Sequence, residues 1–223
     1  MPDVNFDTSV LVDYLRLRLD DILGVDRLGG DVRSPGETRQ LLTDGDNRRV
    51  VGGKVDGEFG ALCDRHQAIY GDMFDWVVEN PDEPLVEYDI TARDVRVSQN
   101  DRDFVRFDVQ VQWNDDPEEK QASDFRRLNQ EVQNIERELR QLLDRVYPQF
   151  DDEELAGALD NLSVDLGHDT AVVVDATKIA KRDGIDLLVS TDSDTADEQE
   201  ALNGCLDECD RSVELTIARP DEI

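Results

Sequence analysis

The sequence predicts an α+β fold in which an antiparallel sheet packs against one long helix, with additional short helices and a C-terminal hairpin and strand. Three observations predict it. Two neighbouring segments, 85–98 and 104–113, alternate apolar and polar residues with the period of two expected of half-buried strands. Farther on, Phe125, Leu128, Val132, Ile135, Leu139, Leu142 and Val146 recur at spacings of three and four, as one apolar helix face does. No strand–helix–strand unit repeats along the chain, which argues against a parallel sheet. The whole reads as a single α+β domain over 1–223, with 24–57 an extended loop or arm and 151–211 an acidic elaboration before the final strand.

The elements follow in order. Residues 8–23, TSVLVDYLRLRLDDIL, read as a first helix: Asp7 or Thr8 can cap it, Leu11, Tyr14, Leu15, Leu19, Ile22 and Leu23 form its apolar face, and Gly24 closes it. Residues 24–57 hold eight of the fourteen glycines, and only Arg49-Val50-Val51 suggests an extended pairing segment there. A second helix spans 59–78, weakened by Gly71 and ended by Pro81 and Pro84. In 104–113, FVRFDVQVQW, Val105, Phe107, Val109, Val111 and Trp113 alternate with polar residues, the clearest strand in the chain. The polar run 99–103 joins it to 85–98 as an antiparallel hairpin with one wet face. Asp116-Pro117-Glu118-Glu119 then caps the long helix, 117–147, about 46 Å in length. A short helix over 151–162 leads to strands at 171–176 and 185–190, a helix at 201–209 and a last strand at 212–218.

Composition speaks of habitat. The chain carries 54 acidic residues against 24 basic ones, a net charge of −30, and only four of the bases are lysine (Lys54, Lys120, Lys178, Lys181). The Debye length is about 10 Å at 0.1 M salt and about 3 Å at 1 M, so molar salt relieves this self-repulsion. The pattern resembles the proteins of extreme halophiles that keep molar salt in the cytoplasm. Its rival, a disordered acidic chain, has no need of the periodicities above. No apolar run reaches the roughly 18 residues of a membrane span, the N-terminus has no secretory pattern, and three cysteines do not make a disulfide framework.

Candidate chemistry is sparse. Cys63 and His66, with Cys205 and Cys209, could offer zinc four ligands, but neither spacing is specific and each residue fits an apolar helix face. The run Thr191–Glu198 and the turn Asp44–Asn47 invite a calcium-loop reading but lack EF-hand spacing, which leaves a hydrated acidic surface. There is no nucleophile elbow, Walker loop, zincin helix or dinucleotide fingerprint, and His168 could be catalytic only if partners converge on it. No basic patch exists to neutralise phosphates, so specific nucleic-acid binding is not expected.

The opening helix SVLVDYLRLRLDDIL, a hairpin ending in FVRFDVQVQW, one long helix and a closing SVELTIA together resemble the tail-terminator or tail-completion proteins of tailed viruses. The resemblance covers 8–147 and the last strand, and rests on element order without a signature motif. It implies a structural protein of a virus of halophilic archaea, located in the virion tail or neck and assembled in the high-salt host cytoplasm. There it would form a homo-oligomeric ring, a hexamer, between the tail tube protein and the head connector protein. It implies no enzyme, no cofactor, no membrane partner and no catalytic, cofactor-binding or metal residues. The alternatives are a cellular haloarchaeal adaptor that binds a protein through the long helix or the sheet face and, behind it, an enzyme.

Overall fold

The computed structural model describes residues 2–43, 45–161, 170–192, 198–209 and 211–223. Its sheet is parallel throughout. Five strands, β1 (Val4–Phe6), β2 (Arg49–Val51), β3 (Arg145–Val146), β4 (Leu187–Val189) and β5 (Thr216–Ala218), lie in the order β3-β2-β1-β4-β5. Asn5 pairs with Val50 on one side and Leu188 on the other, and Leu188 also pairs with Ile217. The fold is therefore α/β, and the antiparallel sheet expected from the sequence is corrected. Between the strands come α1 (Thr8–Leu23), α2 (Pro35–Thr43), α3 (Gly53–Glu79), α4 (Gln99–Asp103), α5 (Val111–Trp113), α6 (Glu118–Leu142), α7 (Glu153–Asp160), α8 (Thr170–Asp183) and α9 (Gln199–Glu208).

Each departure from expectation has a physical cause. The alternating run 104–113 is helical: a π-helix, Phe104–Gln110, runs on into α5. Val105, Val109 and Trp113 are buried, whereas Phe107 and Val111 are 59% and 63% exposed. A period-two pattern contains a period-four one, and here only every second apolar residue packs. Segment 85–98 forms two 3₁₀ turns, Leu85–Glu87 and Ile90–Ala92, and no strand. The valine run at 171–176 lies within α8, where Val172, Val173, Val174, Ala176, Ile179 and Ala180 are all buried. A helix covered all round loses its periodicity and imitates a buried strand. The supposed arm, 24–57, holds α2, β2 and the start of α3. β1 was not foreseen.

The chain divides into two compact units, with boundaries within α1, α3 and α6 and one between α1 and α2. One comprises Met1–Tyr14, Arg33–Phe59 and Leu139–Ile223, and contains the sheet. Strands β1 and β4 are buried at every residue, as parallel strands covered on both faces must be. Val50, Tyr147, Ile179 and Ile185 form a core cluster, with Phe150 against it. Edge strand β3 is exposed, and after it Tyr147 hydrogen-bonds Asp183 while Arg145 stacks 4.4 Å above its ring.

The second unit, Leu15–Val32 and Gly60–Glu138, has no strand among its described residues. Its centre is aromatic: His66 stacks on Phe104 at 4.4 Å and Tyr70 meets both rings edge-on. Burial lowers the His66 pKa to about 4, so this imidazole is neutral.

Candidate functional site

In an open parallel sheet, ligands sit outside the carboxyl ends of the strands, where the order reverses. Here β2 and β3 were added on one side of β1, and β4 and β5 on the other, so the reversal lies between β1 and β4. The residue that follows β1 is Asp7, and those that follow β4 are Ser190, Thr191 and Asp192.

Asp7 is 6% exposed and bound on every side. Its Oδ1 accepts the Thr8 amide at 2.6 Å, which caps α1. Its Oδ2 accepts the Ser9 hydroxyl at 2.8 Å and the Ser190 hydroxyl at 2.7 Å. The Asp192 amide donates to Ser190 Oγ at 3.0 Å and the Thr191 amide to Ser9 Oγ at 3.1 Å, so the two strand ends are sewn together by hydroxyls. Burial raises the Asp7 pKa, its three hydrogen bonds oppose the rise, and the Asp192 charge adds to it.

A second line of side chains enters from α3. Thr8 Oγ1 donates to Glu58 Oε2 at 2.9 Å, and Glu58 Oε1 is 2.9 Å from the Lys54 ammonium. The backbone before Lys54 is pressed close to its neighbours. A Cβ on Gly52 would lie 2.5 Å from Asp175 Oδ2, and one on Gly53 would overlap the backbone of Gln149. These two positions require glycine for space. Asp175, buried on α8, accepts the Lys54 amide at 3.0 Å and the Phe150 amide at 2.8 Å. Its pKa is raised, chiefly by burial. Phe150 also walls a cavity of about 430 Å³, lined by Ala156, Ala171 and Val174 together with the acids Asp151, Asp152, Glu153 and Asp160.

Gly53→Ala is expected to destabilise the protein by about 2–4 kcal/mol, because the obstacle is backbone, which cannot swing away. Urea unfolding in molar KCl checks this; a midpoint within about 0.3 M of wild type would contradict it.

Sequence-based candidates fare differently. Cys63 and His66 are core residues of α3, and Cys205 and Cys209 are free thiols a turn apart at the end of α9. Among the described residues, no three histidines, cysteines, aspartates or glutamates are grouped to hold a metal between them. His168, residue 44 and residues 193–197 of the acidic run lie outside the described residues. The sequence marks Asp7 only as a helix cap and Asp192 only as part of the acidic run weighed as a calcium loop, and it does not mark Lys54, Glu58, Asp175 or Ser190 as a site. One signal was available: Asp-Thr-Ser at 7–9 and Ser-Thr-Asp at 190–192 each follow a short apolar run.

Another cavity, about 530 Å³ between Tyr88 and Gln110, belongs to the helical unit, and the buried Gln110 amide on its wall is committed to the Leu85 and Tyr88 carbonyls. Compared with known proteins, the chain matches no family model, no curated protein and no solved structure.

Proposed function

We propose that the chain is a divalent-cation-dependent hydrolase of phosphodiesters, with a nucleic-acid strand as substrate. The observation that carries this reading is Asp7: a buried carboxylate at the reversal point of the sheet, oriented by Ser9 and Ser190 and close enough to Asp192 to feel its charge. Burying a carboxylate is costly, and such groups collect at sites where they act.

The donor set suits magnesium or manganese. These hard ions take one or two carboxylates and complete their shell with water and substrate phosphate, so a cage of three protein ligands is not needed. Asp7 and Asp192 would hold the ion, which when bound polarises the phosphoryl oxygens and activates water. The chain's own residues have distinct tasks. Ser9 and Ser190 fix the Asp7 carboxylate, and Lys54 offers an ammonium to the non-bridging phosphate oxygens. The cavity beside Phe150 carries Asp151, Asp152, Glu153 and Asp160 in its lining, so it repels a phosphate and is not assigned to the substrate.

The charge of −30 does not oppose this. In molar salt, screening over about 3 Å removes long-range repulsion and attraction alike, so recognition must come from short contacts. The ring-forming tail-terminator reading drew on the opening helix, a hairpin at 85–113, the long helix and the closing strand; residues 85–113 hold 3₁₀ and helical segments and no strand, so it rests on composition and the other three elements.

The test is hydrolysis of bis(p-nitrophenyl) phosphate, single-stranded RNA and single-stranded DNA in about 3 M KCl, with Mn²⁺ or with chelator. Expected are metal-stimulated cleavage and its loss in Asp192→Asn. Cleavage that ignores chelator, or none with any substrate, overturns the proposal. A stable ring-sized particle without activity would return the tail-terminator reading to first place.

A further inference from the structure

We infer that Asp175 is a positioning residue for this site, acting on substrate through Lys54. The inference rests on the hydrolase reading above. Asp175 is 1% exposed and touches no part of the Asp7–Ser9–Ser190 network through any of its hydrogen bonds. Its two oxygens bind two amides from different connections: Lys54 after β2 and Phe150 after β3. Gly52 leaves the space that this carboxylate occupies, and Gly53 lets the Gln149 backbone come close. One buried side chain thereby fixes where α3 begins.

What α3 carries from that point is the chemistry. Lys54 is its second residue, and its ammonium is paired with Glu58, whose other carboxylate oxygen receives the hydroxyl of Thr8, the residue next to Asp7. In a chain with four lysines among 24 bases, one stands here, where a compact ammonium can meet a phosphate oxygen. A shift in the start of α3 would move Lys54 and leave the strand ends, with Asp7 and Asp192, in place. Asp175 should therefore govern substrate binding and leave the ion's site alone.

A double-mutant cycle tests this. Kinetics on bis(p-nitrophenyl) phosphate with Mn²⁺ in molar KCl are compared for wild type, Asp175→Asn, Lys54→Ala and the double variant. The asparagine keeps the shape of Asp175 but replaces one of its acceptor oxygens with a donor. Each single variant is expected to raise KM about tenfold with kcat nearly unchanged, the loss of one charge-assisted contact. The double variant should be no worse than Lys54→Ala, and Mn²⁺ affinity by titration should stay at the wild-type value in all four. Gly52→Ala, which crowds the Asp175 carboxylate, should raise KM in the same way and likewise have no further effect without Lys54. An active wild type in which the losses multiply, or in which Asp175→Asn lowers kcat or Mn²⁺ affinity, overturns the positioning role and leaves the hydrolase reading standing. A wild type inactive with Mn²⁺ overturns both.

Discussion

Asp7→Asn is expected to lower metal-stimulated hydrolysis by about 10³-fold while leaving the protein as stable as wild type or more so. The two effects have one cause. Asp7 is buried at the meeting of β1 and β4, and its charged form is disfavoured there by lost hydration and by Asp192. Asparagine is close to the same shape and neutral. Its amide nitrogen can donate where the carboxylate accepted, since the Ser9 and Ser190 hydroxyls can turn from donor to acceptor. The activity is lost because a neutral amide is a poor ligand for a hard cation.

The pH dependence follows in sign. A carboxylate whose pKa is raised on folding contributes its stability below the unfolded value, and that contribution disappears as pH rises through the folded value. In chelator, wild type and Asp7→Asn should therefore melt alike at low pH, with the variant gaining its advantage as pH climbs past the raised Asp7 pKa. Asp175, also raised, acts in the same direction. Asp152 and Asp116 act oppositely, because their ion pairs with Lys178 and with Arg27 lower their pKa values, and their contribution is lost on acidification. Melting curves of both proteins across pH 3–8 in constant KCl check this. A variant that melts well below wild type at neutral pH would mean that the Asp7 charge holds the strand ends together.

The helices were the more legible part of the fold, for identifiable reasons. α1 and α6 each show a one-sided apolar stripe and a start signal; α1 forms where these place it, whereas α6 starts as expected but ends at Leu142, because Val146, counted in its stripe, is an exposed residue of β3. Extended segments at 49–51, 185–190 and 212–218 were legible and hold β2, β4 and β5, but the parallel pairing was not, nor were the two- and three-residue strands β3 and β1. Val4-Asn5-Phe6 alternates over too few residues to stand out, and Leu187–Val189 offers an apolar run that pairs in parallel or antiparallel sheets equally well. The site was hidden by background. Among 54 acids no carboxylate stands out, and Asp7 already had a sufficient explanation as the cap of α1. What distinguishes it is the reversal between β1 and β4, which brings residues 7 and 190 into hydrogen bonding across most of the chain. Lys54, by contrast, was visible in principle: in a lysine-poor chain, a lysine directly after a Gly-Gly pair invited attention.

Dilution from 3 M to 0.1 M KCl is expected to lower the melting temperature by at least about 10 °C, or to unfold the protein outright. Even if each of the 24 bases paired with one acid, 30 carboxylates would remain without a basic partner. Salt weakens the attractive pairs as well, so the sign depends on which population dominates. Pairs such as Arg48–Asp3, Arg18–Glu138 and Arg140–Asp56 are substantially exposed, and pairs of that kind contribute about 0–1 kcal/mol each. The unpaired excess repels over a range that grows from about 3 Å at 1 M salt to about 10 Å at 0.1 M, so many more carboxylates feel each other after dilution. Repulsion dominates, and a domain held by about 5–15 kcal/mol cannot absorb much of it. Circular dichroism melts across a KCl series check this, with NaCl expected to serve equally and sucrose of matched osmolality expected to fail, since it screens nothing. Rescue by sucrose would assign the effect to hydration and not to charge. A melting temperature unchanged between 0.1 M and 3 M would remove the halophilic reading altogether, and with it the reason that a site for a polyanion can operate on so acidic a protein.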